Sequence, residues 1–366
     1  DKTGSELCWV DNKEENKLFS VTFKTLPEND TGVFHILEHS VLCGSEKYPV
    51  KEPFVDLLKS SMNTFLNAMT YPDKTVYPVS SRNAHDFLNL TAVYLDAVFA
   101  PRLTEDPNVF YQEGIHTEEE NGISSYKGVV FNEMKGAMSD IDSRIEQGIS
   151  QLLFPDTCYR FNSGGDPAAI PDLTYEAYKK TYETFYTPQN ARFFLDGDVP
   201  LQETLTMIDS YLQQYDGGEE NRQSAEFLEL PLQKPVTQEG ILTYEIPENE
   251  DETKKAAFVF GKIIGTWQER EKILAAKILC DMLADTNESP LKRAILSSGL
   301  AEDMEMTVAS GVAQPYLLII ARNIKDGDSQ KIRELITRTA EELTEKGFGK
   351  EIAEASINRF AFRVKQ

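Results

Sequence analysis

The sequence predicts an α+β protein made of two homologous domains, each a largely antiparallel sheet packed with helices. Residues 17–24 alternate apolar and polar side chains, the period of two that predicts a strand. Residues 83–99 place apolar side chains three or four positions apart, which predicts an amphipathic helix. Strands and helices of these kinds follow one another in a first half, and their order is repeated after a stretch rich in Gly, Glu and Pro. We therefore expect a duplicated domain and not an array of short repeats.

The first half contains further segments of both kinds. Strands are predicted at 7–10 and 191–196, and a strand pair is predicted within 64–79, around the turn Tyr-Pro-Asp-Lys at 71–74. The remaining helices are predicted at 33–43, 54–61, 108–120, 128–139, 173–186 and 201–215. Gly44 follows the first of these helices and suits its C-cap.

The stretch 217–222, followed by Pro231, Pro235 and Gly240, is interpreted as a linker region. We place the first domain at 1–225, the linker at 226–240 and the second domain, expected to be truncated, at 241–366. In the second domain the predicted strands are 255–263, 303–309 and 316–322, and the predicted helices are 268–283 and 329–345. Because the chain begins without Met and residues 351–366 resemble an unfinished helix, we expect it to be part of a longer protein.

A short internal match sets the register between the halves. Residues 41–43 are Val-Leu-Cys and residues 278–280 are Ile-Leu-Cys, and each segment lies late in the helix that follows a strand. In this register His35, Glu38 and His39 correspond to Lys272, Ala275 and Ala276, in the order given. The second helix keeps the apolar pattern but lacks metal-binding side chains, so we expect the first domain to be catalytic and the second to be metal-free.

The composition and net charge of the chain argue against some classes of binding partner. Of 366 residues, 37 are Lys or Arg and 60 are Asp or Glu, a net charge of −23, which argues against nucleic acid and anionic membrane surfaces. We find no apolar run long enough for a membrane span. The charge favours a basic partner, such as a positively charged peptide, although solubility alone also explains it. The four cysteines have irregular spacing and predict no disulfide framework, which fits a bacterial cytoplasm or, as the second choice, an organelle matrix.

Two of the four histidines lie in the pentad His35-Ile36-Leu37-Glu38-His39. Positions i and i+4 share one face of a helix, so both imidazoles can reach one metal ion. Glu38 leans toward the same face and can hold a water molecule without being a ligand. This H-x-x-E-H order is the inverted form of a zinc peptidase motif. The alternative is an ordinary helix with two surface histidines and a glutamate there by chance.

A catalytic zinc ion needs a third protein ligand and an open position. The chain offers many carboxylates, and spacing alone cannot choose among them. Glu133 lies in an apolar segment, 129–136, where a lone carboxylate is costly unless it is paired or bound to metal. The run Glu118–Glu120 resembles a solvated charged surface instead. An ordinary surface glutamate on a helix stays open as the alternative for Glu133.

Several segments carry a family resemblance. Residues 33–45, VFHILEHSVLCGS, resemble the zinc-binding segment of the pitrilysin/insulinase family. Residues 48–54, YPVKEPF, and 63–70, NTFLNAMT, are similar to its presequence protease and falcilysin branch. Residues 131–136, FNEMKG, resemble the third-ligand segment of that branch, and 163–167, SGGDP, also fit it.

This resemblance implies the metallohydrolase fold of the mitochondrial processing peptidase and a zinc-dependent endopeptidase that cleaves unfolded oligopeptides. It implies one zinc ion per chain, and it assigns a role to each matching position. The ligands would be His35, His39 and Glu133, the general base Glu38, the supporting carboxylate Glu113, and the substrate-binding residues Asn67, Ala68 and Met69. It also implies that a C-terminal half of the same enzyme completes the chamber around the substrate. The alternative function is a non-catalytic scaffold or processing-partner subunit with the same fold.

Overall fold

A computed structural model describes residues 3–51, 53–215, 229–244, 246 and 252–365 of the chain. The chain divides into two units: the first comprises 1–143 and 156–231, and the second comprises 144–155 and 232–366. Residues 217–222 of the predicted linker region lie outside the described residues. The predicted domain boundaries stay a prediction, and the structure groups the short segment 144–155 with the second unit.

The strands and helices are numbered here in chain order. The strands are β1 (Glu6–Val10), β2 (Lys17–Lys24), β3 (Asn63–Leu66), β4 (Met69–Thr70), β5 (Lys74–Ser81), β6 (His116–Glu120), β7 (Ile123–Lys127), β8 (Ala191–Asp196), β9 (Ala256–Ile263), β10 (Asp303–Ala309) and β11 (Tyr316–Ile324). The helices are α1 (Val33–Val41), α2 (Pro53–Ser60), α3 (Ala84–Phe99), α4 (Pro107–Glu113), α5 (Val129–Ala137), α6 (Ile141–Leu153), α7 (Tyr175–Phe185), α8 (Leu201–Leu212), α9 (Arg270–Ala284), α10 (Pro290–Ser298), α11 (Ser329–Lys346) and α12 (Lys350–Lys365).

The main sheet of the first unit has the strand order β1-β8-β2-β5-β3, and the short β4 also pairs with β5. β1 and β8 are parallel, and the other pairs are antiparallel. The alternation read from the sequence of β2 is confirmed, because Phe19, Val21 and Phe23 are fully buried. β3 and β4 form one edge of this sheet, since the described residues place no strand on their other side.

Helix α1 lies in the middle of the first core. It buries Phe34, Ile36, Leu37 and Val41, which recur at helical spacing, and it packs against α4, α5, α7 and β4. These neighbours come from distant parts of the chain. The polar residues of α1 are therefore surrounded by several separate elements, and this placement creates the candidate site.

The second unit has a three-stranded antiparallel sheet with the order β10-β11-β9. The central strand β11 is buried over most of its length, as expected for the richest apolar stretch of the sequence, and Ile319 and Ala321 belong to the core of this unit. The order β9-α9-α10-β10-β11-α11 matches the order β2-α1-α2-β3/β4-β5-α3 of the first unit. The α+β fold class with largely antiparallel sheets is confirmed.

Three sequence interpretations differ from the structure. The predicted helix 108–120 is wrong, because α4 ends at Glu113 and residues 116–120 form β6, which pairs with β7. The reason is a two-residue turn at Asn121 and Gly122, both with positive φ (54° and 78°), which favours a tight hairpin. Helices α6 and α10 were not predicted. The strand predicted from residue 64 onward is interrupted at 67–68, between β3 and β4.

No helix in the described part of the chain is both long and apolar enough to cross a membrane.

Candidate metal centre

The start of helix α1 depends on a glycine in close contact with a distant loop. Gly32 caps the helix with a left-handed backbone (φ 66°). A Cβ at this position would lie 2.6 Å from the carbonyl oxygen of Gly164, which is too close for any side chain. The loop itself is held by Asp30, whose carboxylate accepts from the backbone N–H of Asn162 at 2.7 Å. The loop at 162–166 is thus packed directly against the first turn of α1.

The two histidines of α1 and one carboxylate of α5 converge on a common point. Nε2 of His35 and Nε2 of His39 each lie 3.6 Å from Oε2 of Glu133. All three ligand atoms are within 4.8 Å of one another, so among the described residues this group could hold a metal ion. The structure therefore brings together the three residues that the sequence proposes as ligands.

The other nitrogen of each imidazole has its own partner. Nδ1 of His35 lies 3.0 Å from the Gly164 carbonyl oxygen. A carbonyl can only accept, so this Nδ1 carries the proton and Nε2 presents its lone pair to the common point. Nδ1 of His39 lies 3.4 Å from Oε2 of Glu113. Such partners behind the ligands orient imidazoles in metal sites.

This donor set fits zinc. Two histidines and one glutamate are a known ligand set of catalytic zinc sites. Tetrahedral zinc with bonds of about 2.0–2.1 Å separates its ligand atoms by roughly 3.3–3.4 Å. The observed 3.6 Å separations are close to this value.

Glu133 lies in a different environment from the one its sequence suggested. We favoured it because a carboxylate in an apolar segment would be buried, yet its side chain is 53% exposed. The apolar residues Val130, Phe131 and Met134 take the buried face of α5. Glu133 therefore occupies the solvent-exposed side of the group.

The electrostatics of this region favour a cation. Burial lowers the pKa of His39, but its hydrogen bond to Glu113 and the charges of Glu38, Glu113 and Glu133 outweigh burial, so the net pKa lies above its ordinary value. Burial raises the pKa of Glu113, but hydrogen bonds from His39, Gln112 and Cys43 outweigh it and hold that pKa below its usual range. Three carboxylates thus surround the imidazoles, an arrangement that a divalent cation compensates.

Glu38 does not belong to the group of ligand atoms. Its side chain is buried, and its Oε2 accepts a hydrogen bond of 2.6 Å from Oγ1 of Thr70. The sequence-based prediction missed Thr70, although it directly follows the predicted substrate-binding residues. The strand period of two was the available signal, because Leu66, Ala68 and Thr70 then share one face.

The three proposed substrate-binding residues lie at the sheet edge. Asn67 donates its N–H to the Pro78 carbonyl at 3.3 Å, and its carbonyl accepts from the Tyr94 hydroxyl at 3.1 Å. Asn67 is exposed, Ala68 is partly buried, and Met69 pairs with Val76 of β5. Their role in substrate binding stays a prediction.

Family models match both halves of the chain. The model described as "Peptidase M16 inactive domain" matches residues 172–360, just over half of the chain. The model described as "Insulinase (Peptidase family M16)" matches residues 26–135, which include His35, Glu38, His39, Glu113 and Glu133. The chain belongs to peptidase family M16. The resemblance stated from the sequence is thereby confirmed.

Curated relatives match this chain over its whole length. Protein HypA of Clostridium perfringens is 41% identical over 369 residues, which cover 100% of this chain and 38% of HypA. Presequence protease 1, chloroplastic/mitochondrial, of Arabidopsis thaliana is 41% identical over 377 residues, which cover 100% of this chain and 34% of that protein. The chain therefore spans roughly a third of the length of these relatives.

Solved structures of other proteases share the fold. A protease from Helicobacter pylori superposes with a TM-score of 0.71 at 16% identity, covering 100% of this chain and 84% of that chain. Pitrilysin superposes with a TM-score of 0.61 at 18% identity, covering 96% of this chain and 36% of that chain. At these identities the superpositions support the fold alone.

Proposed function

We propose that this M16 chain is the zinc-bearing part of an endopeptidase that hydrolyses unfolded oligopeptides. One observation carries the proposal: Nε2 of His35, Nε2 of His39 and Oε2 of Glu133 meet at one point while separate groups hold both Nδ1 atoms. In this proposal these three residues bind one zinc ion per chain, and Glu113 supports His39 from behind.

The chain's own residues supply the proton chemistry. A bound zinc ion would act as a Lewis acid: it would lower the pKa of a bound water molecule toward neutral pH and polarise a peptide carbonyl. Glu38 accepts the proton of the water that attacks the scissile carbonyl, and it returns that proton to the nitrogen of the leaving amine. Its burial beside the histidines, without being one of the converging ligand atoms, supports this division of roles.

The edge formed by β3 and β4 is the proposed binding surface for the peptide. An extended peptide can add a strand to such an edge through main-chain hydrogen bonds, which tolerate varied side chains. Asn67, Ala68 and Met69 lie on this edge, close in sequence to Thr70, which contacts Glu38. The net charge of −23 supports basic peptides as preferred substrates.

A further half of the enzyme is the proposed partner. The two curated relatives described above are roughly three times as long as this chain, and the Arabidopsis protein is named a presequence protease. We propose that a C-terminal half closes over the peptide, and we call the two halves together the complete enzyme. The compartment, bacterial cytoplasm or organelle matrix, stays a prediction.

The test is Glu38→Gln in the complete enzyme. We expect zinc content to stay at one ion per chain while kcat falls by roughly 100- to 10,000-fold, the range for a lost general base. The control is Glu119→Gln on the exposed strand β6, which we expect to match the parent. Zinc is measured by metal analysis, and cleavage is measured on matched basic and acidic peptides at low and high salt.

Three outcomes of this experiment would count against the proposal. Unchanged cleavage by Glu38→Gln would rule out Glu38 as the general base. A parent protein that binds no zinc would rule out the proposed metal site. Equal cleavage of basic and acidic peptides at low salt would rule out only the preference for basic substrates.

The second candidate function is a non-catalytic scaffold or processing-partner subunit. It is favoured by the match of residues 172–360 to a model described as an inactive domain. The candidate site lies in the other matched segment, residues 26–135. A complete protein that binds no zinc and cleaves no peptide would support the scaffold, whereas zinc-dependent cleavage would exclude it.

A further inference from the structure

The carboxylate of Glu38 has a specific hydrogen-bond donor on the neighbouring sheet. Oγ1 of Thr70 donates to Oε2 of Glu38 at 2.6 Å, a short bond of the kind that a charged acceptor forms. Thr70 is the last residue of β4, where it pairs with Thr75 of β5, and the turn that follows is closed by a bond of 2.8 Å from the Tyr71 N–H to the Lys74 carbonyl. The position of the hydroxyl is therefore set by the end of a hairpin.

Three buried tyrosine hydroxyls of the same core are engaged elsewhere. Burial raises the pKa values of Tyr77, Tyr94 and Tyr186, and the charge of Glu38 adds to that effect. The Tyr77 and Tyr186 hydroxyls bond to each other at 2.8 Å, and the Tyr94 hydroxyl donates to the Asn67 carbonyl at 3.1 Å. Thr70 is thus the hydroxyl group that the structure assigns to the Glu38 carboxylate.

The same strand serves two surfaces. The side chain of Thr70 reaches inward to Glu38, and the backbone of β3 and β4 forms the sheet edge, with no strand beyond it in the described part of the chain. A peptide that pairs with this edge would bind the strand from which Thr70 projects. The peptide-binding strand and the Glu38 carboxylate are then linked by one hydrogen bond.

We propose that Thr70 is a positioning residue that aims the Glu38 carboxylate and couples peptide pairing at the β3–β4 edge to the general base. The inference rests on the proposed function. The hydroxyl holds Oε2, so the proton of the attacking water goes to Oε1, which takes no part in the bond to Thr70. Thr70 itself gains and loses no proton in this scheme.

The test compares Thr70→Val, which keeps the branched shape and removes the hydroxyl, with Thr70→Ser, which keeps the hydroxyl. For Thr70→Val in the complete enzyme we expect kcat to fall roughly 10- to 100-fold, a part of what loss of the base itself costs, with KM and zinc content unchanged. For Thr70→Ser we expect kcat within about threefold of the parent, because the donor is retained. If the Thr70→Val variant does not fold, Thr70→Ala replaces it, and we expect the same fall in kcat for that variant.

A double-mutant cycle separates positioning from packing. If Thr70 acts only through Glu38, adding Thr70→Val to Glu38→Gln lowers the residual activity no further. Equal losses in Thr70→Val and Thr70→Ser, a loss of zinc in Thr70→Val, or an unchanged kcat in that variant would each overturn the inference.

Crystal structures of the Thr70 variants test the inference without an activity measurement. We expect the Glu38 carboxylate to leave its present position in Thr70→Val and to keep it in Thr70→Ser. If the parent protein cleaves no peptide, the proposed function fails, and the carboxylate positions still decide whether Thr70 orients Glu38. An unmoved carboxylate in Thr70→Val would show that other groups hold it.

Discussion

The segments β2–α3 and β9–α11 have the same order of strands and helices, but only the first holds the candidate site. In the first, His35 and Glu38 are buried and His39 is partly buried. At the corresponding positions of α9, Lys272 and Ala275 are exposed and Ala276 is partly buried. The shared topology therefore does not by itself create the site. The site needs a polar helix face together with groups that surround that face.

Those surrounding groups come from outside the repeated order of elements. Glu113 belongs to α4, Glu133 to α5 and Gly164 to a loop, and all three follow α3 in the chain. The helix caps differ as well. Gly32 precedes α1 with a left-handed backbone against Gly164, whereas Glu269 precedes α9 with a φ of −80°. The repeated order of elements was thus sufficient for the fold but not for the candidate metal centre.

The largest expected effect in this comparison is the loss of the third ligand. Glu133→Gln keeps the shape of the side chain but removes its charge, so we expect zinc affinity to fall well beyond the about 10- to 100-fold that loss of a group behind the ligands costs. Competition with a chelator measures the affinity, and Glu119→Gln is the matched control on an exposed strand. Unchanged affinity would mean that α5 does not complete the site.

A smaller effect is expected from the helix cap. Gly32→Ala adds a Cβ that would lie 2.6 Å from the Gly164 carbonyl oxygen, and a left-handed alanine alone costs about 1–2 kcal/mol. Because that carbonyl holds Nδ1 of His35, we expect both thermal stability and zinc affinity to decrease, the latter by about 10-fold.

The matched substitution lies at the other cap. Glu269→Ala changes a position that has an ordinary negative φ and lies on the solvent-exposed start of α9. We expect a modest decrease in melting temperature, because the Glu269 carboxylate accepts from the Thr266 N–H at 2.8 Å, and no change in zinc affinity. If both cap substitutions lowered zinc affinity equally, the link between the Gly32 cap and His35 would be wrong.

The smallest expected effect is a null result in the second half. The triple variant Lys272→His, Ala275→Glu and Ala276→His copies the pentad onto α9. We expect metal analysis to find one zinc ion per chain still, because positions 272 and 275 are exposed to water, whereas His35 and Glu38 are buried among groups that orient them. A second bound zinc ion would show that the helix face alone is sufficient, and it would break the comparison.

Much of the fold was predictable because its periodic signals are local. The bounds of β2 and β8 agree with the structure, and α1 and α3 differ by one or two residues at their ends. The hairpin β6–β7 was missed because the helix predicted at 108–120 was extended through the residues of β6, while the Asn-Gly turn at 121–122 decided the outcome. The turn signal consists of only two residues, so a longer helix or strand pattern beside it easily dominates the prediction.

One of the two reasons for selecting Glu133, its apolar sequence neighbourhood, proved incorrect. The apolar neighbours of this residue suggested a buried carboxylate, but they pack on the other side of α5 and leave it half-exposed. The residue still lies beside both histidines. Burial in a helix depends on which face meets the core, and a single sequence does not show the position of that face relative to a distant helix.

The sequence by itself determined the α+β class, the duplicated order of elements and the placement of His35, Glu38 and His39 on one helix, because helical and strand periods are local properties. Only the tertiary structure decided which groups complete that helix. The Gly164 carbonyl on His35, Glu113 on His39 and the Thr70 hydroxyl on Glu38 join residues 32 to 129 positions apart. Such contacts depend on how sheet, helices and loops pack, which no local pattern encodes.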